Sequence, residues 1–256
     1  MTLKTLILCG ASVGLLGLAA QAQEDTDTPG NAIERVLGTV TVTATKKTDV
    51  EDVQAVPVSV TAFNADTVEA LKVRDLQGLS FTTPNVTLDD IGTSRGTANF
   101  QIRGLGVNSS IPSIDPTVGV FIDGVYMGVN NGIVFDLFDL DSVEVLRGPQ
   151  GLLFGRNTTG GAVVVNTGNP TDEFELKLRG AIEGPIDEGR GGMNRYVQGV
   201  ISGPLVEDKL NGKFGVYFND DDGYFKNLAN GENHGAAETI IVRGGLEFFA
   251  TENLTF

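Results

Sequence analysis

Between Asp141 and Thr167 the chain reads DSVEVLRGPQGLLFGRNTTGGAVVVNT, and two strands around a forced turn are almost all that this order of residues permits. Val143 and Val145 alternate with Glu144, the period of a strand. Arg147-Gly148-Pro149 ends that strand, because glycine frees φ and proline has no amide hydrogen to give a ladder. Gly151, Gly155, Gly160 and Gly161 space the loop that follows. Val163-Val164-Val165 is then a β-branched run suited to a second strand. Read on its residues alone, the stretch is a hairpin with a glycine-rich connection.

The residues before it carry mixed signals of strand and helix. Val56-Pro57-Val58-Ser59-Val60 predicts a strand whose proline suits an edge or a first position. Asn64 predicts a helix cap, followed by Val68, Ala70, Leu71 and Leu76 at near-helical spacing up to Gly78. Asn99 to Arg103 predicts a strand stopped by Gly104-Leu105-Gly106. Val118, Val120 and Ile122 alternate before Asp123-Gly124, a strong hairpin signal, and Val125-Tyr126-Met127 returns. Val134 to Leu140 predicts a short helix leading into Asp141. The expected result is one compact α+β domain over residues 49–169.

After Asn169-Pro170 the period becomes two. Phe174, Leu176, Leu178 and Ile182 alternate with Glu175, Lys177, Arg179 and Glu183. Leu210, Phe214, Val216 and Phe218 alternate with Asn211, Lys213 and Tyr217, and Ile240, Val242, Leu246 and Phe248 with Arg243 and Glu247. Tyr196 to Ser202 is a weaker candidate between the first two. One apolar and one polar face, about ten residues at a time, is the pattern of a transmembrane β-barrel strand. The connections 184–194 and 220–237 are long while 203–209 and 250–252 are short, as expected of outer loops and inner turns. Four strands and the start of a fifth at Asn253 to Phe256 cannot close, since about eight are needed. Residues 170–256 are therefore expected to be the start of an antiparallel barrel, in an N-terminal fragment of a longer protein.

Met1 to Ala22 has the form of a secretory signal peptide: Lys4, an apolar core, and Ala20-Gln21-Ala22 as cleavage site. The only cysteine, Cys9, lies inside it, so the exported chain is expected to have no thiol chemistry. Residues 23–48 are polar and predict a flexible arm. The arm contains TVTVTAT, Thr39 to Thr45, followed by Lys46-Lys47. This strand former has no glycine turn close by to pair it, which suits addition to the sheet edge of a partner. With 33 acidic against 18 basic residues the chain is not built for nucleic acid. Its one histidine, His234, leaves little for triad catalysis or metal binding, and no catalytic residue or metal ligand is assigned.

TVTVTATKK, QIRGLG, VGVFIDGVY, SVEVLRGP and FGRNTTGGAV, met in this order, resemble the N-terminal part of TonB-dependent outer-membrane receptors. The resemblance implies that Thr39, Val40, Thr41, Val42, Thr43, Ala44 and Thr45 form the TonB box and that 49–169 is the plug domain. It implies that Arg103, Arg147 and Arg156 anchor the plug to acidic groups of the barrel, where a guanidinium can bind carboxylates with both prongs. Gly104, Gly148, Pro149, Gly151 and Gly155 would shape the plug turns. Leu152 departs from the family, which has a polar residue there, and VVVNTGNP is a variant of its usual ending. The implied function is energy-coupled uptake through the Gram-negative outer membrane, with TonB as partner and no cofactor. The ligand most common in the family is a ferric siderophore, ahead of cobalamin, haem and oligosaccharide. Two other classes stay open on the residues: a secreted α+β enzyme, and a plug-only binding module that transports nothing.

Overall fold

The computed structural model describes residues 41–42, 51–52, 56–91, 96–107, 111, 114–134, 136–184, 192–223, 225–251 and 254–255. The expected signal peptide, most of the arm, and Thr39, Val40, Thr43, Ala44 and Thr45 lie outside the described residues. The chain order begins with β1 (Thr41–Val42), β2 (Glu51–Asp52), β3 (Val60–Asn64), α1 (Ala65–Ala70) and α2 (Leu76–Ser80). It continues with β4 (Val86–Asp90), β5 (Ala98–Ile102), β6 (Leu105–Gly106), β7 (Val118–Ile122) and β8 (Val125–Tyr126). Then come β9 (Leu140–Arg147), α3 (Gly151–Phe154) and β10 (Gly161–Thr167). The last third holds β11 (Glu175–Glu183), β12 (Asn194–Val206), β13 (Leu210–Asp221), β14 (Phe225–Lys226), β15 (Asn233–His234), β16 (Ala237–Thr251) and β17 (Leu254–Thr255).

The opening stretch is the centre of a five-stranded sheet, ordered β3-β9-β10-β7-β8. β10 runs antiparallel to β9 and parallel to β7, so it is covered on both edges. Val143, Val145, Val163 and Val165 are fully buried on one face, among Phe63, Val68, Leu76, Leu79, Leu88 and Ile102. Leu146, Ala162, Val164 and Phe121 are buried on the other, against Val60, Tyr126 and Phe154. Burial on both faces explains why β10 reads as an unbroken apolar run rather than an alternation. β4, β5 and β6 form a separate three-stranded sheet.

Several local expectations are corrected. The helix begun at Asn64 is capped as predicted, the Asn64 side chain accepting from the Thr67 amide at 2.8 Å. It stops at Ala70, with Lys72 at φ 53°, and a second helix, capped by Asp75, contains Gly78. The strand expected from Val56 starts at Val60, beyond Pro57, and β4 was not foreseen. No helix forms among the described residues of 134–140. There the Leu137 amide donates to the Arg74 carbonyl at 2.5 Å, and the Phe138 carbonyl accepts from Arg243, so tertiary partners take the groups a helix would use.

The second sheet, ordered β11-β12-β13-β16-β17, is antiparallel throughout and does not close on itself among the described residues. β11, β12, β13 and β16 have 9, 13, 12 and 15 residues, enough to cross a bilayer, which takes about 9–11. The weak candidate 196–202 proves to be the middle of β12, and the 220–237 connection carries the small β14–β15 pair. Cross-strand register puts Leu176, Ile201 and Phe214 in one row, and Val197, Phe218 and Ile240 in another, all exposed on one face. The opposite face carries Tyr196, Gln198, Ser202, Asn211, Lys213 and Tyr217 and meets the mixed domain.

Candidate functional site

Where the polar face of the long-stranded sheet meets the mixed domain, two sets of contacts hold them together. Period two places Lys213 and Arg243 on the inner face, because Phe214 and Val242 take the outer one. Lys213 Nζ lies 2.6 Å from Asp139 Oδ1, both side chains only 11% exposed, and also donates to the Gly168 carbonyl at 3.0 Å. Arg243 donates to the Phe138 carbonyl, its guanidinium 5.6 Å from the centre of the Phe138 ring. The Phe138 ring itself, 1% exposed, is buried with Val200 and Tyr217. The cations are thus on the sheet and the acceptors on the mixed domain.

The second set is more open. Arg74 pairs with Glu183, and Arg179 Nη2 with Glu69 Oε2 at 2.5 Å. Exposed pairs of this kind are worth about 0–1 kcal/mol each, whereas removing one partner of a pair held away from water strands the other charge at a cost of about 3–5 kcal/mol. Arg74 also lies 4.9 Å over the ring of Tyr196, which stacks on Tyr217 at 6.0 Å, and Tyr217 in turn is 5.8 Å from Phe138. One continuous aromatic column therefore connects the two sets. Beside it lies a cavity of about 800 Å³, lined by Glu69, Arg74, Phe81, Arg179, Glu183 and Tyr196 among others.

The three arginines expected as anchors do not take part in either set. Arg103 and Arg156 are exposed and Arg147 is half-buried, and among the described residues none of the three pairs with a carboxylate. Arg147 Nε is buried without a hydrogen-bond partner, and a guanidinium nitrogen of Arg103 lies over the Gly148 turn. The residues that do bridge to the sheet, Glu69, Arg74, Phe138 and Asp139, were missed in the sequence. A usable signal existed on the other side: a lysine and an arginine on the inner face of apolar-out strands.

Among the turn residues Gly104, Gly148 and Gly155 have φ of 78°, 98° and 78°, whereas Gly151 opens α3 without a positive φ. Nothing lies within 4 Å of a side chain built on Gly151 or Gly155, so conformation alone separates the two. Gly151→Ala is expected to stabilise by about 0.5–1 kcal/mol, and Gly155→Ala to destabilise by about 1–2 kcal/mol. Paired thermal melts test this, and shifts in the same direction would refute it. Leu152, between them in sequence, is 98% exposed.

The strand former in the arm does find a partner in its own chain, against expectation. Thr41 and Val42 pair antiparallel with Asp52 and Glu51. The sequence offered no short turn because the connection runs over residues 43–50.

Comparison with known proteins adds to this geometry. Residues 52–162 match the model of the TonB-dependent Receptor Plug Domain. The chain is similar to the pesticin receptor of Yersinia pestis, 29% identical over 195 residues, which are 76% of this chain and 27% of the relative. It is also similar to the ferrioxamine B receptor of Salmonella typhimurium, 30% identical over 232 residues, with 81% and 31% covered. Among solved structures, the ferric yersiniabactin uptake receptor of Yersinia pestis superposes with a TM-score of 0.62 at 26% identity, over 75% of this chain and 29% of that one. The ferripyoverdine receptor of the outer membrane of Pseudomonas aeruginosa gives 0.65 at 20% identity, over 88% and 31%, a likeness of fold. The chain spans about a quarter to a third of the length of these curated relatives. By name all four are receptors.

Proposed function

The chain belongs to the TonB-dependent receptor family through its plug domain, and on that premise we propose that it serves energy-coupled uptake of a ferric siderophore across the outer membrane. The carrying observation is the long-stranded sheet, apolar on the face away from the plug and polar on the face that receives it. A soluble sandwich would cover its apolar face with a second sheet. In this reading residues 1–22 direct export, 23–48 present Thr39–Thr45 to TonB in the periplasm, 49–169 gate the channel, and 170–256 begin the wall. Arg103, Arg147 and Arg156 face wall strands other than β11–β17, and the plug yields to force transmitted through the box.

Cysteine scanning tests the wall, since the one cysteine of this sequence, Cys9, lies in the expected leader. Cysteines at Leu178, Ile201, Val216 and Val242 are expected to react with a lipid-dissolved maleimide and to resist a water-borne one. Free aqueous labelling at those four positions would reject the barrel. The ligand class is tested by growth of a deletion strain on ferric hydroxamate, ferric catecholate or haem as sole iron source. Growth equal to the parent on all three would reject iron.

A further inference from the structure

Phe138 stands on a segment that the sequence predicts as helix and that the structure holds between two partners without a helix among its described residues. On one side Leu137 donates to the Arg74 carbonyl, and Asp136 bridges to Asp75, so the segment is tied to the N-terminal half of the plug. On the other side the ring rests on the inner face of β13 at Gly215. A side chain built on Gly215 would come within 2.8 Å of Phe138 Cζ and 3.4 Å of a Val200 methyl. Real β-carbons do not approach that closely, so a side chain at this position would have to displace the buried ring. Around this socket Lys213 and Arg243 close over Asp139 and the Phe138 carbonyl.

We propose that Phe138 and Gly215 form a key and socket that seat the plug in its closed position, with Lys213 and Arg243 as the clasp. This rests on the reading of β11–β16 as barrel wall, and it names the wall site that receives the plug. Phe138 is a positioning residue: it touches no ligand and acts by holding the segment that joins the two halves of the plug. The seat is hydrophobic at its centre, and the ion pair beside it is itself only 11% exposed on each side. Its position also differs from that of the glycine-flanked arginines, so the plug has an attachment independent of them.

The test uses the gene's full product in a Gram-negative host that lacks TonB, with Phe138→Ala, Gly215→Val and the double variant. Two quantities are measured: heat-modifiable protein in the outer membrane, and passive entry of vancomycin, which an intact outer membrane excludes. All three variants are expected to insert like the parent. Each single variant is expected to admit vancomycin at least about tenfold faster, because the ring is lost in one and displaced in the other. In the double variant the valine fills space left by the ring, and the leak is expected to fall back toward the parent. Single variants as tight as the parent, or a double as leaky as the two singles combined, would overturn the proposal. If even the parent fails to appear as a heat-modifiable outer-membrane species, the barrel reading falls instead. The seat is then judged by melting the purified products, where additive losses at the two sites overturn it and coupled losses support it.

Discussion

Gly161→Val is expected to unfold the plug. Gly161 begins β10 and pairs with Arg147 of β9 on one side and with Val118 of β7 on the other. A side chain there would run into the Leu146 carbonyl oxygen and come within 2.6 Å of Ile102 Cδ1. Ile102 could rotate away, but the carbonyl belongs to the backbone of the neighbouring strand and can move only if β9 and β10 separate. Overpacking a core usually costs about 1–3 kcal/mol when side chains can adjust. Here the central ladder must open as well, so the loss should be about 3 kcal/mol or more, a large part of the roughly 5–15 kcal/mol that keeps a domain folded. Thermal melting and limited proteolysis measure it, with Gly151→Ala as a control whose new methyl meets nothing. A Gly161→Val protein that melts with the parent would show that the β9–β10 register is wrong.

Proline at Thr41 or Val42 is expected to weaken TonB binding several-fold at least, and uptake with it. The stretch alternates threonine and valine, and its described residues, Thr41 and Val42, pair antiparallel with Asp52 and Glu51, which occupy the place a partner strand would take. Strand addition draws its affinity from main-chain bonds, each worth about 0.5–1.5 kcal/mol net. Proline removes one donor and holds φ near −65°, so one of the two substitutions must strike a bonded position. Val42→Thr keeps the donor and should be nearly neutral. The observed pairing adds a second expectation. A peptide covering 37–47 should bind more tightly than one extended to residue 53, because Glu51 and Asp52 then compete for the same edge. Calorimetric titration against the periplasmic domain of TonB measures all of these. Proline peptides as tight as the parent would mean that recognition runs through side chains, and equal affinity of the two lengths would remove the competition.

The order of elements in the plug was largely legible because its signals are local. Asp123-Gly124 makes a hairpin whatever surrounds it, Arg147-Gly148-Pro149 ends a strand, and Asn64 caps a helix, each through the conformation of a few neighbouring residues. The long strands were legible for a related reason: period two is a property of the strand, and Leu176, Phe214 and Val242 declare an apolar face before any neighbour is known. The same period placed Lys213 and Arg243 on the inner face, although not what they touch.

Tertiary structure alone decided the rest. Residues 134–140 have the apolar spacing of a short helix, yet Arg74 and Arg243 take the amide of Leu137 and the carbonyl of Phe138, and the helix loses its own hydrogen bonds. That β10 lies parallel to β7 and antiparallel to β9 depends on pairings between residues far apart in sequence, which no local pattern encodes. The plug's attachment follows the same rule. Glycine beside arginine marked Arg103, Arg147 and Arg156 as candidates. The observed bridges come from Asp139, Phe138, Arg74 and Glu69, ordinary residues that acquire a role only when β11, β13 and β16 are brought against them. An ion pair needs two charges within about 4 Å, and one sequence position shows only one of them.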